Sequence, residues 1–410
     1  MTQVLSFGCR LNIAESAVLG GLVDDPDLVI VNSCAVTAEA VRTGAQAARR
    51  AARGGSRVVV TGCAAEVEAG AFAGFATVGR RGKFEASSYR APLPVREGLR
   101  VGSNPQLQMS SLSTLPTPGP SRTGRGADAP IHTRAFVPVQ NGCDHACTFC
   151  IIARARGPST SEAPDTVVAR IAALHEAGCN EVVLTGVDLT SYAHAGTTLG
   201  QLVRRILAET ALPRLRLSSI DSIEADPLLL DLIASEPRIM PQLHLSLQAG
   251  DDLILKRMRR RHGRDHAIRF CASLRARRPE IAFAADLITG FPTETEAMFE
   301  QTAALVDECG LTQLHVFPYS PRPGTPAARM PQVPPATTRD RAARLRALGE
   351  LRTATALAAQ CGRPQRVLVE RSGTRGRTEG FHPARVPPAA PGSIVTVTGV
   401  RVADGVLECA

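Results

Sequence analysis

Three cysteines stand in the run Gln140-Asn141-Gly142-Cys143-Asp144-His145-Ala146-Cys147-Thr148-Phe149-Cys150-Ile151-Ile152, spaced C-x3-C-x2-C. Soft thiolates this close together favour zinc or an iron–sulfur cluster. A structural zinc site normally closes with a fourth Cys or His at short spacing. Here His175 and Cys179 lie well downstream and His145 lies inside the loop itself. Three ligands therefore point to a [4Fe–4S] cluster with one iron left open for a non-protein ligand. The plainer alternative is three small buried residues brought together by chance.

A second set is dispersed. Three short apolar runs, Val4–Phe7, Leu28–Asn32 and Val58–Thr61, alternate with the helical patterns Ile13–Leu22 and Ala38–Arg53. Strands alternating with helices predict a parallel α/β sheet. Each run leads into a cysteine: Phe7-Gly8-Cys9, Asn32-Ser33-Cys34 and Thr61-Gly62-Cys63. The carboxyl ends of parallel strands share one edge, where ligands bind, so Cys9, Cys34 and Cys63 are expected to converge. Gly8 and Gly62 allow close backbone approach. Three unrelated buried cysteines are the alternative. Arg10, Asn12, Glu15 and Thr37 fall at the same edge, as pocket residues or, for Asn12 and Thr37, as helix caps.

The elements that must position the first set come after a stretch in which periodicity fades and Ser, Thr, Pro and Gly accumulate, read as a linker. Strands are expected at Ala135–Gln140, Glu181–Leu184, Arg214–Ser218, Leu243–Leu247, Ala282–Ile288 and Gln313–Pro318. Helices are expected near Asp165–Ala177, Leu199–Glu209, Pro227–Ser235, Arg264–Arg277 and Glu296–Cys309. Such βα repeats make a parallel barrel or part of one, with chemistry at the strands' C-terminal ends. The first strand runs directly into the C-x3-C-x2-C loop. The other tips are polar or glycine-bearing, and Gly186, Gly250 and Gly290 would let a ligand approach the backbone. Lys256–Arg278 holds many cations and only the acid Asp265, a solvated helix face or a phosphate contact. A helix near Thr338–Gln360 closes this unit. Short strands at Gln365–Glu370 and Ile394–Thr398, set among Gly/Pro turns, then suit a small β-barrel of the kind that grips RNA. Its one aromatic platform is Phe381.

The chain has 410 residues, enough for two or three domains, and a formal charge of +9 carried almost wholly by arginine. That charge is compatible with a polyanionic partner. Without a long apolar run or a signal-peptide pattern at Met1–Leu19, a cytoplasmic location is expected and no membrane partner. Eleven cysteines in such a chain favour metal binding over disulfides.

On these motifs the chain resembles the methylthiotransferases of the radical S-adenosylmethionine (SAM) superfamily. The C-x3-C-x2-C spacing is that of the superfamily. Phe7–Asn12 and Val31–Thr37 are most similar to the MtaB type, as are Ile151–Ser161, Leu217–Asp221 and His315–Pro326. Where the family often has Ile-Ile-Pro-Tyr, this chain has Ile151-Ile152-Ala153-Arg154.

The resemblance implies an α/β protein in these parts: residues 1–110, an N-terminal parallel α/β methylthiotransferase domain binding an auxiliary cluster; 111–130, a linker; 131–361, a partial (β/α)6 radical SAM barrel; 362–410, a TRAM-like RNA-binding β-barrel. It implies two [4Fe–4S] clusters, one on Cys143, Cys147 and Cys150 and an auxiliary one on Cys9, Cys34 and Cys63. SAM is expected against Phe149, Thr185, Gly186, Ser218, Gln248, Ile288 and Phe317. No catalytic residue is expected beyond the cluster ligands. Cys179, Cys271, Cys309, Cys361 and Cys409 are expected to be dispensable. The implied reaction converts N6-threonylcarbamoyladenosine at transfer RNA (tRNA) position 37 to its 2-methylthio derivative. Its parts are radical C–H activation, sulfur insertion and methyl transfer, with an electron donor such as flavodoxin or ferredoxin and a sulfur source. The alternatives are a sibling acting on isopentenyladenosine tRNA or on a ribosomal-protein aspartate, and a non-catalytic iron–sulfur RNA-binding or electron-transfer protein.

Overall fold

The computed structural model describes residues 2–90 and 133–410; the expected linker at 111–130 lies outside them. The N-terminal sheet has strands β1 (Gln3–Ser6), β2 (Leu28–Ser33), β3 (Arg57–Gly62) and β4 (Ala76–Thr77), all parallel and in that order. Every residue of β2 is buried, as a central parallel strand covered on both faces must be. Helix α1 (Arg10–Leu22) and helix α2 (Ala38–Arg53) make the crossovers. Thr37 caps α2, its hydroxyl accepting the Ala40 N–H at 3.1 Å. Cys63 opens the short helix α3 (Cys63–Val67) directly after β3.

The central unit carries β5 (Ala135–Pro138), β6 (Glu181–Thr185), β7 (Arg214–Leu217), β8 (Ser219–Ile220), β9 (Gln242–Gln248), β10 (Ala282–Thr289) and β11 (Leu311–Pro318). Strands β5–β7 and β8–β11 pair in parallel in chain order. Only Ser218 separates β7 from β8, and its N–H still reaches Leu184 O at 3.0 Å, so the two segments are one interrupted strand. Six βα steps result.

Alternation fixes which side chains point where. Leu243, Leu245, Leu247, Phe283, Ala285 and Leu287 pack outward with the helices in the main core. The intervening His244, Ser246, Gln248, Asp286 and Ile288 therefore face inward. A register shift at Phe283/Ala284 brings His315 of β11 beside Asp286. Cys179, Cys271 and Cys309 belong to the outer core.

Helix α4 (Ile152–Arg156) follows the cysteine loop, and the long helix α5 (Pro335–Ala358) closes the unit. The C-terminal strands β12 (Pro364–Val369), β13 (Arg375–Thr378), β14 (Pro383–Arg385), β15 (Ile394–Ala403) and β16 (Val406–Cys409) form a closed barrel, in the order β12-β13-β14-β16-β15. Sequence pattern points to β12 and β15 alone. The other three strands are too short to show periodicity and are fixed by closure of the barrel.

No helix among the described residues is long and apolar enough to cross a membrane.

Candidate functional site

The dispersed set converges. Cys9 precedes α1, Cys34 follows β2 and Cys63 follows β3. Gly8 has φ +96°, and a Cβ there would lie 2.5 Å from Cys34 Sγ. Burial, with the neighbouring Cys9 and Cys63, pushes the Cys34 thiol up to about 11, against one favourable N–H bond from Val36 at 3.5 Å.

Arg156 of α4 reaches into this set from the other unit. Its Nε donates to Cys63 Sγ at 3.2 Å, its Nη1 to Glu15 Oε1 at 2.8 Å, and its Nη2 to Asn12 Oδ1 at 2.6 Å. Lys83 Nζ joins Glu15 Oε2 at 2.5 Å and Asn32 Oδ1 at 3.0 Å. Burial disfavours the Glu15 charge, but Arg156 and Lys83 outweigh it and hold the carboxyl at about 2. Asn12 is thus no helix cap. It is fully buried, and its Nδ2 ties Phe7 O (2.7 Å) to Ser33 O (3.1 Å) across the cysteine edge. Sequence reading missed Arg156 and Lys83, because nothing local marks an arginine whose partners are distant in the chain.

The contiguous set is built from one loop. Gly142 has φ +74°, and a Cβ there would meet Pro158 O at 1.9 Å. Cys143 N–H bonds to Gly157 O (3.0 Å), and Thr148 N–H to Met258 O (3.1 Å). Backbone N–H groups of His145 and Ile152 point at Cys143 Sγ (3.4 Å) and Cys150 Sγ (3.5 Å). Arg260 Nη1 lies 3.8 Å from Cys147 Sγ. Burial pushes the Cys143 thiol up to about 12 and the Cys150 thiol up to about 11, and Cys63 adds to the field on Cys150. With Arg156, on the helix that follows this loop, bonded to Cys63, the two sets sit close to one another.

Of the alternative fourth ligands, His145 stands within 4.8 Å of Cys143 Sγ but is held by a carboxylate, and Cys179 lies in the outer core. His145 pairs with Asp188 (2.5 Å), and Cys179 Sγ donates to Glu181 O (3.2 Å). The Asp188 carboxyl is pushed up to about 6 by burial and by Glu224. Burial holds Cys34 in one set and Cys143 and Cys150 in the other too dry to ionise unaided, and each set has N–H groups aimed at sulfur. This donor chemistry fits an iron–sulfur cluster, whose iron charge stabilises the thiolates.

The expected SAM residues fall on the tips around the loop. Phe149, Ile288 and Phe317 share one apolar cluster with Phe291, and Phe149 meets Phe291 edge-on at 6.4 Å. The Ser218 hydroxyl is buried without a partner among the described residues, the kind of orphan a ligand would satisfy. Gln248 ends β9 at φ +67°, rare for a non-glycine residue. Thr185 is buried, and Gly186 leaves room for Gln140, whose Oε1 would lie 2.8 Å from an added Cβ.

All three glycine expectations need correction, since the space beside Gly186 is taken by Gln140. Gly250 packs against the backbone of Gln301 and Thr302, and Gly290 against the Thr338 side chain. Both admit helices rather than a ligand. The basic run is divided: Lys256, Arg259, Arg261, Arg269 and Arg277 are exposed, and others are committed inside the fold. Arg260 pairs with Asp221 (3.0 Å), Arg264 donates to Gly250 O (2.9 Å) and Arg278 to Ile233 O (2.8 Å).

Below the tips the inner face stays polar. His244 Nε2 lies 2.8 Å from Asp286 Oδ1, and His315 Nδ1 lies 3.6 Å from the same oxygen. At the strands' N-terminal ends Glu181 is buried against Arg216 (3.0 Å), Arg214 (3.6 Å) and Arg134. Arg214 donates to Arg366 O (2.7 Å), and Arg216 to Glu379 O and Thr378 O (both 2.9 Å), so the C-terminal barrel plugs this end. Phe381 is no free platform for a base. The guanidinium groups of Arg134, Arg216 and Arg377 lie about its ring at 5.1, 4.9 and 5.0 Å.

Comparison with known proteins gives a consistent picture. Residues 137–306 match the Radical SAM superfamily, and residues 2–77 match the uncharacterized protein family UPF0004. A relative from Rickettsia prowazekii (strain Madrid E), threonylcarbamoyladenosine tRNA methylthiotransferase MtaB, is 40% identical over 99% of this chain and 96% of its own length. A tRNA-2-methylthio-N(6)-dimethylallyladenosine synthase from Kineococcus radiotolerans is 33% identical over 99% of this chain and 87% of its own. One from Cereibacter sphaeroides (strain ATCC 17025) is 31% identical over 96% and 94%. Among solved structures, the radical SAM methyltransferase TsrM from Kitasatospora setae superposes with a TM-score of 0.55 at 16% identity, covering 77% of this chain and 68% of that one. That likeness is one of fold.

Proposed function

The chain belongs to the radical SAM methylthiotransferase family and is a sulfur-transferring enzyme, and from that premise we propose that it converts N6-threonylcarbamoyladenosine at tRNA position 37 to the 2-methylthio derivative. The observation that carries the substrate is the gap in identity. The threonylcarbamoyladenosine relative stands at 40%, whereas the dimethylallyladenosine relatives stand at 31% and 33%, all over nearly the whole chain.

The family implies a [4Fe–4S] cluster and SAM. In our reading Cys143, Cys147 and Cys150 hold that cluster, and Cys9, Cys34 and Cys63 hold a second. When bound, the first would supply reductive cleavage of SAM for hydrogen abstraction from the adenine and the second the sulfur to be inserted. The chain's own residues do the positioning. Ser218, Gln248 and Thr185 accept the polar parts of SAM at the strand tips, while Phe149, Ile288 and Phe317 shield it from water. Arg156 braces Cys63 against the barrel unit. Residues 1–110, 131–361 and 362–410 act as three domains, the last a TRAM-like module for tRNA. An electron donor such as flavodoxin or ferredoxin and a sulfur source complete the system in the cytoplasm.

Nucleoside mass spectrometry of tRNA from a strain lacking this protein is expected to show loss of 2-methylthio-N6-threonylcarbamoyladenosine. An unchanged level would overturn the substrate.

A further inference from the structure

The inner face between the strand tips and the barrel plug carries a polar cluster that neither thiol set uses. His244, Asp286 and His315 stand side by side on β9, β10 and β11, the two imidazole rings meeting edge-on at 4.6 Å. His315 is about half exposed although it lies within a strand, so the inner face borders open space. Arg10 comes to this space from the N-terminal sheet, one residue after Cys9. Its charge neighbours are Asp286, Arg134, Arg216 and His315. Arg134 and Arg216 are committed to Glu181. Among the described residues no hydrogen bond or ion pair engages Arg10, which is half-buried.

A half-buried guanidinium without a protein partner is open to a ligand, and a planar carboxylate is its natural complement. Asp286, flanked by imidazoles, is instead an acceptor for N–H or O–H donors. Resting on the substrate reading above, we infer that Arg10, His244, Asp286 and His315 form the pocket for the amino-acid arm of the modified base. Arg10 takes the arm's carboxylate; Asp286 and the histidines take its hydroxyl and urea N–H groups. An apolar dimethylallyl arm would leave Arg10 unpaired and offer nothing to the His244–Asp286–His315 cluster, and a site built for polar atoms rejects an analogue lacking them. Arg10 thereby becomes a specificity residue contributed by the N-terminal sheet to a chamber in the barrel.

The test uses the full-length, cluster-loaded protein and three anticodon stem-loops. One carries N6-threonylcarbamoyladenosine, one its threoninamide form with the carboxylate replaced by a carboxamide, and one dimethylallyladenosine. The wild type is expected to bind the carboxylate loop about tenfold or more tighter than the carboxamide loop. Arg10→Gln should bring that ratio near one by weakening the carboxylate loop far more than the carboxamide loop, and Arg10→Lys should restore part of it. Absorbance of the bound clusters checks that Cys9 still holds its share. An Arg10→Gln protein that keeps the wild-type ratio would overturn the pocket while leaving the substrate intact. A wild type that modifies only the dimethylallyl loop would overturn the substrate reading itself.

Discussion

The two three-cysteine sets use the same ligands and are built in opposite ways. Cys143, Cys147 and Cys150 share one loop, whose shape rests on Gly142 and on backbone bonds to Gly157 and Met258. Cys9, Cys34 and Cys63 share nothing locally, and they meet because β1, β2 and β3 are parallel and end at one edge. The first site is a property of a short segment; the second is a property of a topology. Arg156 ties them together, since it follows Cys150 by a single helical turn yet donates to Cys63. The loop set thus carries part of the support for the sheet set.

The sharpest way to break this comparison is to remove ligands from each set in turn. Cys147→Ala is expected to abolish both SAM cleavage and thiolation. Cys34→Ala should leave 5′-deoxyadenosine formation intact and stop thiolation. Product analysis after anaerobic reconstitution decides, and equal loss of 5′-deoxyadenosine in both variants would refute the division of labour. Next in size is Gly142→Ala. An added Cβ 1.9 Å from a carbonyl oxygen at φ +74° leaves the loop no relaxed conformation, at a cost of about 5 kcal/mol. Iron should be lost from the loop set first, read as SAM cleavage falling before total iron does.

Arg156→Met probes the tie itself. It keeps the apolar stem and removes the donors to Cys63, Glu15 and Asn12. Breaking one partner of a buried pair costs about 4 kcal/mol. Chemical denaturation should register that loss, and thiolation should suffer more than SAM cleavage. Equal damage to both activities would mean that Arg156 serves the whole joint rather than the sheet set.

The same contrast explains what could be read from the sequence. The loop set, the six barrel strands and the strand ends bearing Cys9, Cys34 and Cys63 are legible because spacing and periodicity are local signals. Asn12 is misread as a cap because a buried amide and a cap look alike without their partners. Gly186, Gly250 and Gly290 are misread as ligand space because sequence does not tell which neighbour comes close. Phe381 looks like a free aromatic until three arginines, two of them far away in the chain, are placed around its ring. Lys83 and Glu15 are separated by 68 residues and meet through tertiary structure alone.

Glu15 gives the smallest and most selective handle on the sheet set. Its carboxyl titrates near 4.5 when unpaired and at about 2 in the fold, where Arg156 and Lys83 overcome the burial penalty. The folded state therefore binds this proton more weakly than the unfolded chain does. The resulting stability is fully present above about pH 4.5 and is lost as pH falls toward 2. The shift corresponds to about 3 kcal/mol. Glu181, held at about 2 by Arg216 and Arg134 against its burial, loses its contribution over the same window at the plugged end of the barrel. Wild-type acid sensitivity thus sums two joints, and Glu15→Gln removes the share of one. Urea unfolding from pH 7 to pH 3 should show the variant less stable than wild type at pH 7 and the gap narrowing as pH falls. A gap that stays constant with pH would mean that the Glu15 charge is not what joins the sheet edge to Arg156, and the dispersed set would then owe its geometry to the strands alone.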